Sequence, residues 1–488
     1  MSGKLRLPPK AKKAKAGAKR ALESADDFQQ AADAEEETGG KWRAGDKAKS
    51  CRAFLRAIEI YDQGLSKHPR NFDLAYNKAR LQFEISEQPG LVTHLPVSLH
   101  QYLQQALQSQ KYALSLNEEN TDILFNTAEL LISLAENVVE DAETPQPDNT
   151  YPASLLHEAL ELLDSCFTRQ SMIFEEQRQA WERETDDTQG GVSLKDTDVG
   201  GPSSPASSAA EQSATVESSV TPEDLVDTLH ASLAALTQLV GLDSHSSIPV
   251  LSSMAESILT SKLPPCIDLL SPDEQPPARQ AALLLQASFT AAVSAAEFDA
   301  TLISGSTYLS RLAAFETLDL ATNAEVMCNA ADAAVEAIAA ISSRPRAGDQ
   351  LDLHAPLLQS RNLYASALAI LADQSAAQTK GTLSVTTRPD PAREATRAAA
   401  LAAAADAALL SYRLFQEEDA LSQSVSLYRQ ASSAYQNADD ITSQSQAHTR
   451  GLVAAALASG SSLPRDASTI RIVADMRSEG LLGDDALN

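Results

Sequence analysis

Residues 57–69 read Ala57-Ile58-Glu59-Ile60-Tyr61-Asp62-Gln63-Gly64-Leu65-Ser66-Lys67-His68-Pro69. Small, aromatic, small and proline positions follow one another at steps of four, three and five. In a helix, Ala57, Tyr61 and Gly64 then share one face, a small-large-small stripe for a neighbouring helix, and Pro69 stops the run. Straight afterwards stands Asp73-Leu74-Ala75-Tyr76-Asn77-Lys78-Ala79-Arg80-Leu81. The same order returns 49 residues on, with Ala106 and Ala113, then Asp122-Ile123-Leu124-Phe125-Asn126-Thr127-Ala128-Glu129-Leu130. A fixed offset over two linked signatures marks a repeated supersecondary unit, and such units bury their apolar faces only by stacking.

Ala57, Tyr61, Gly64, Pro69, Tyr76, Asn77, Ala79, Ala106, Ala113, Phe125, Asn126 and Ala128 define the repeat. In this pattern the chain resembles the tetratricopeptide repeat (TPR), over about residues 44–167. Ala159, Leu163 and Cys166 carry the pattern once more, and Trp42 and Gly45 stand near the expected aromatic and glycine without their usual spacing. The resemblance implies an all-α fold, an α-solenoid of degenerate helix-turn-helix (TPR-like) repeats. Pro89-Gly90 to Pro96 reads as an insertion that lengthens the period, and Thr144 to Pro152 as a second one in the next repeat.

Composition agrees with an all-α chain. Glycine is scarce (19 of 488 residues), aromatics make up 5%, and Ala, Leu, Gln, Glu and Ser dominate, a set of helix formers with few β-branched runs. Net charge is −27, unevenly placed. Residues 1–20 hold eight basic residues and no acid, which leaves −35 for the remainder. So acidic a body repels nucleic-acid phosphates and favours a basic protein partner. Only the tail 1–20 could meet nucleic acid, and its Lys10–Arg20 run reads equally as a nuclear localisation signal or a solubilising tail. Four well-separated cysteines (Cys51, Cys166, Cys266, Cys328) suggest free thiols in a reducing compartment. No apolar run is expected to span a membrane.

Four regions are expected. A disordered tail, basic then acidic, fills 1–40; TPR-like repeats fill 41–187; a flexible Ser/Gly/Pro-rich linker fills 188–220; a second helical repeat block fills 221–488. Periodicity predicts helices over 44–67, 72–86, 98–116 and 120–139, and one running to about 184 whose charged end projects into solvent or caps the array. The second block opens on the start signal Thr221-Pro222-Glu223-Asp224. Its helices are predicted at 222–241, 247–261, 275–297, 299–317, 322–342, 352–374, 390–416, 418–437, 440–459 and 466–479. Breakers such as Pro264-Pro265, Pro345 and Pro389-Asp390-Pro391 separate most of them.

Catalytic spacings are missing: no phosphate-cradling glycine loop, no H-E-x-x-H, no G-x-S-x-G. The reading is therefore no enzyme, no cofactor, no metal and no small-molecule substrate. One TPR subclass binds acidic chaperone tails with a Lys/Asn clamp, and Asn77 stands at the matching asparagine. Asp122 and Asn126 stand where that clamp needs basic side chains, so the clamp is rejected. Lys49, Arg52 and Asn77 remain as candidate peptide contacts. The expected function is a non-enzymatic protein–protein interaction module, cytoplasmic and/or nuclear. It would be an adaptor or assembly chaperone that holds a protein segment in a helical-repeat groove, a basic client such as a ribosomal protein or histone being the specific version. The alternative is a scaffold subunit of a larger multiprotein complex.

Overall fold

The structure is a computed structural model that describes residues 22–140, 149–188, 219–242, 246–344, 351–381 and 390–483. Among the described residues there is no strand, and helices pack on their neighbours in chain order. The chain is an all-α solenoid. The basic tail 1–20 and all but the ends of the expected 188–220 linker lie outside the described residues, as do Pro345 and Pro389.

The expectation of a disordered tail through residue 40 fails at α1 (Ala25–Trp42). Ser24 and Asp27 form a reciprocal cap: Ser24 Oγ accepts from the Asp27 N–H at 3.1 Å, and Asp27 Oδ2 accepts from the Ser24 N–H at 3.0 Å. Phe28, Ala32 and Gly39 are buried against α2 (Lys47–Lys67). A Cβ at Gly39 would lie 2.4 Å from the Phe54 ring, so only glycine permits this approach. The acids that suggested disorder are answered by later basic residues. Glu35 pairs with Arg56 at 2.6 Å, and Glu36 pairs at 2.6 Å with Arg80 of α3 (Phe72–Ser86). α1 is thus the first helix of the first pair. Phe28→Ala should lower the stability of this region by about 3–4 kcal/mol, read by urea unfolding; a wild-type midpoint would show that α1 contributes no packing.

The following pairs repeat the plan. α3 pairs with α5 (Leu99–Leu116), and the insertion between them folds as the short α4 (Pro89–Val92), whose Leu91 is fully buried. The 49-residue offset extends to the caps: Asn71 Oδ1 accepts from the Leu74 N–H at 2.9 Å, and Asn120 Oδ1 from the Ile123 N–H at 3.0 Å. α6 (Thr121–Glu140) pairs with α7 (Thr150–Thr188), whose far end is solvent-exposed around Trp181. Pro152, expected in an insertion, sits in the first turn of α7, where its missing N–H is harmless. α8 (Pro222–Leu242) packs on α7, and Leu156, Leu163, Leu229 and Leu236 belong to one apolar cluster. The expected division at 188–220 is therefore a division of sequence only, because the core runs through it.

Two breaker readings also need correction. Pro264-Pro265 does not separate helices: α9 (Ile248–Ser257) runs through a π turn (Ile258–Lys262) into α10 (Leu263–Asp268). The wider turn admits the prolines in the first turn of α10. The helix predicted from 299 starts later. α11 (Gln275–Asp299) ends before Thr301, which has φ 63°, and α12 (Gly305–Arg311) begins at the Ser304 cap and passes into a 3-10 turn (Leu312–Thr317). α13 (Ala324–Ser343) then pairs with α14 (His354–Gly381), and α15 (Pro391–Phe415) with α16 (Glu418–Asn437). α17 (Ile441–Ser459) and α18 (Ala467–Ser478) close the array.

α8, α11, α13 and α15 are, by length and composition alone, apolar enough to cross a membrane, which overturns the expectation that no stretch is. Alanine raises their mean hydropathy without any long run of bulky aliphatic residues. Ala398, Ala405, Ala407 and Ala408 on α15, for example, are almost wholly buried, so the alanines let helices approach closely.

The solenoid has an inside. α1, α3, α6, α8, α11, α13 and α15 each touch the next of these helices, whereas α2, α5, α7, α14 and α16 each meet the first helix of the following pair. The first helices thus form the inner, concave layer.

Candidate functional site

That inner layer carries carboxylates on nearly every turn of the solenoid. Glu84 lies on α3 and Glu87 just after its end, Glu129 on α6, Asp227 on α8, Asp299 at the end of α11, Asp332 and Glu336 on α13, and Asp406 on α15; Glu479 follows α18. They sense one another between helices. Burial raises the Glu129 carboxyl above the usual range, and Glu87, Glu136 and Asp227 push it further. Burial likewise raises Glu336, with Asp299 and Asp332 adding to it. For Asp332, burial raises the carboxyl, the Tyr364 hydroxyl opposes the shift and Asp406 adds to it. Like charges held close favour the protonated form, or a cation between them.

Some of this charge is already balanced. Arg43 and Arg80 pair with Glu84 at 2.5 and 3.1 Å, and Arg344 pairs with Asp299. Arg450 of α17 meets Asp406 at 3.0 Å and Glu479 at 2.5 Å. Glu87, Glu129, Asp227 and Glu336 have no ion pair among the described residues. Burial raises the Asp227 carboxyl, His230 opposes the shift and Asp224 and Glu223 add to it, while burial disfavours the charged form of the His230 ring.

The shape suits a long cationic side chain. Asp299, Asp332, Glu336, Asp406 and Glu479 line one depression of about 540 Å³. The first three also line a neighbouring one of about 410 Å³. Asp332 and Glu336 are open to solvent although protein surrounds them on several sides, as on the floor of a groove. Alanines form part of the walls: Ala291, Ala292, Ala295 and Ala333 in one depression, Ala339, Ala340 and Ala403 in the other. Such walls accept the alkyl stem of lysine or arginine while the floor takes the charge.

The structure places the sequence-derived residues in two groups. Ala57, Tyr61, Ala79, Ala106, Ala113 and Ala128 are fully buried, Gly64 is buried, Tyr76, Asn77, Phe125 and Asn126 are half-buried, and Pro69 is exposed in its loop. The candidate peptide contacts do not converge. Lys49 on α2 pairs with its own N-cap Asp46 at 2.9 Å and lies over the Trp42 ring at 4.5 Å. Arg52 is exposed on the same helix, and Asn77 on α3 donates to Gln29 Oε1 at 3.2 Å. What the sequence reading misses is the acidic row. Its one legible trace is Asp332 and Glu336, four residues apart on an alanine-rich helix.

Among the described residues no group of His, Cys, Asp and Glu could hold a metal ion. The four cysteines are unbridged; burial pushes the Cys166 thiol up to about 12 and that of Cys328 to about 11, which keeps both protonated and unreactive.

No family model matches the chain. Over 147 residues it is 32% identical to the UPF0656 protein C926.02 of Schizosaccharomyces pombe, a match that covers 30% of each chain. The chain thus spans under a third of the length of that curated relative. Among solved structures it aligns with a circular tandem repeat protein with novel repeat topology and enhanced subunit contact surfaces, over 94% of this chain and 96% of that one, at 11% identity and a TM-score of 0.28. So low a score carries no argument, and the fold rests on this chain's own helix packing.

Proposed function

We propose that this helical-repeat protein is a non-enzymatic interaction module of the TPR class that holds an extended, basic protein segment in its acidic inner groove. The observation that carries this reading is the row of uncompensated carboxylates along the first helices, Glu87, Glu129, Asp227 and Glu336. An adaptor or assembly chaperone for a basic client, such as a ribosomal protein, needs such a surface: it shields positive charge until the client reaches its acidic or nucleic-acid partner. A cytoplasmic or nuclear site of action goes with that role. A scaffold role has one observation of its own, the exposed apolar side chains Ile441 and Leu452 of α17 and Ile470 of α18 at the end of the array.

The test is fluorescence anisotropy of the full chain with a labelled peptide rich in Arg and Lys. Binding should weaken about tenfold or more between about 50 and about 300 mM salt, as screening shortens the reach of exposed charge. It should also weaken as pH falls through the raised carboxyl range, because a protonated acid no longer attracts a cation. Affinity that ignores salt, or equal affinity for a Glu-rich peptide, would sink the reading.

A further inference from the structure

The groove acids are held in a recurring way. In three helix pairs a buried tyrosine of the second helix donates its hydroxyl to a carboxylate of the first: Tyr61 to Glu36 at 2.6 Å, Tyr364 to Asp332, and Tyr428 to Asp406. All three rings are at most 1% exposed. A ring wedged between two helices fixes its oxygen, and a buried hydroxyl must be satisfied, so each carboxylate is both anchored and aimed. On two of these carboxylates a guanidinium of the chain itself already docks. Arg80 sits on Glu36 at 2.6 Å and Arg450 on Asp406 at 3.0 Å. The third, Asp332, has the same tyrosine anchor and no ion pair among the described residues, and it opens on the groove.

Resting on the groove reading above, we propose that Tyr364-anchored Asp332 is an arginine-docking subsite for the bound segment, with Tyr364 as its positioning residue. The chain's own geometry identifies the ligand group: a guanidinium docks on a tyrosine-held acid, Arg80 on the Glu36 oxygen that Tyr61 leaves free and Arg450 on the Asp406 oxygen that also accepts from Tyr428. Arginine is preferred to lysine because its planar fork can reach a second acceptor, and Glu336 lies one turn further along the helix. The groups around Asp332 are Tyr364 of α14, Asp406 of α15, Cys328 and Glu336 of its own helix, Asp299 of α11, and Glu479 and Arg344, which line the same depression. Arg344, the cation among them, is taken by Asp299, and Glu479 and Asp406 share Arg450, so Asp332 keeps no ion pair among the described residues.

The experiment is a binding cycle with the full chain, using labelled peptides of alternating Arg and Gly, or of Lys and Gly, at equal length. Asp332→Asn should weaken the arginine peptide about tenfold and Tyr364→Phe about threefold, and the double variant should bind as Asp332→Asn does. Tyr364→Phe should also move the pH of half-maximal binding upward, since the lost hydroxyl had favoured the ionised carboxyl. A purely structural tyrosine would lower the melting temperature without that shift. Wild-type binding of the arginine peptide that survives Asp332→Asn overturns the subsite alone. So does equal affinity for the lysine peptide, or a Tyr364→Phe loss that persists in the Asp332→Asn background. Failure of the wild-type chain to bind either peptide overturns the groove reading and the subsite with it.

Discussion

Ala57→Arg should unfold the N-terminal helices. Ala57 is fully buried on α2, in the apolar cluster that joins Phe28 of α1 to Leu74 and Leu81 of α3. An arginine there has no space and no partner. Overpacking alone costs about 1–3 kcal/mol, and leaving a guanidinium buried and unpaired costs several more. The combined penalty, about 5 kcal/mol, rivals the whole stability of an ordinary domain. Circular dichroism of the variant should show lost helix and an early, separate transition on heating. Ala128→Arg, on α6 at the position that matches Ala79 of α3, strikes the cluster shared with α7 and α8 and should melt more of the chain. A near-unchanged melt in either variant would mean that these alanines do not mark helix crossings.

The second large effect concerns binding. Combining Glu336→Arg with Asp332→Asn removes two negative charges from the groove floor and adds a positive one. Both positions are open to solvent, so the fold should tolerate the change while affinity for a basic segment falls about 100-fold, the sum of lost attraction and new repulsion. Stability should move the other way. The Asp332 and Glu336 carboxyls are raised in the folded chain, so the folded state holds their protons more tightly than the unfolded state does. They favour folding at acid pH, and that contribution is lost as pH rises from the ordinary carboxylate range through the raised one. At neutral pH the groove is therefore strained by its own charge, and Glu336→Gln should melt slightly higher than wild type while binding less well. A variant that loses stability along with affinity would show that Glu336 supports the fold rather than the ligand.

Much of the architecture was legible because it rests on periodicity. The helix predicted over 72–86 is found at Phe72–Ser86, and the one over 418–437 at Glu418–Asn437. One face of each is apolar, and Pro69, the Asn71 cap and Pro89 bound the first. α1 was not legible. Its acids look like a reason for disorder until Arg56 and Arg80, which lie beyond it in sequence, fold against them. The π turn before Pro264 was hidden for a related reason: a proline pair breaks a regular helix but not one that has already widened. The candidate site was the least legible part. Its carboxylates come one or two to a helix all the way from Glu84 to Glu479, and only the stacking of the first helices brings them into one layer. A local charge count sees an acidic protein; the fold turns that surplus into a groove.

The apolar cluster that joins α7 to α8 has a consequence for how the chain can be divided. Residues 149–188 and 219–242 are held to each other by side chains such as Leu163 and Leu236, and by the Thr228 hydroxyl, which donates to Gln170 Oε1 at 2.8 Å. Cutting the backbone between them removes none of these contacts. Two polypeptides, one ending at residue 188 and the other starting at 219, should therefore find each other when produced in the same cell. The untagged half should co-purify with the tagged half, and Leu229→Asp in the second should abolish the association. The gene could then be split at this point to make a reporter whose reconstitution follows the docking of one half on the other.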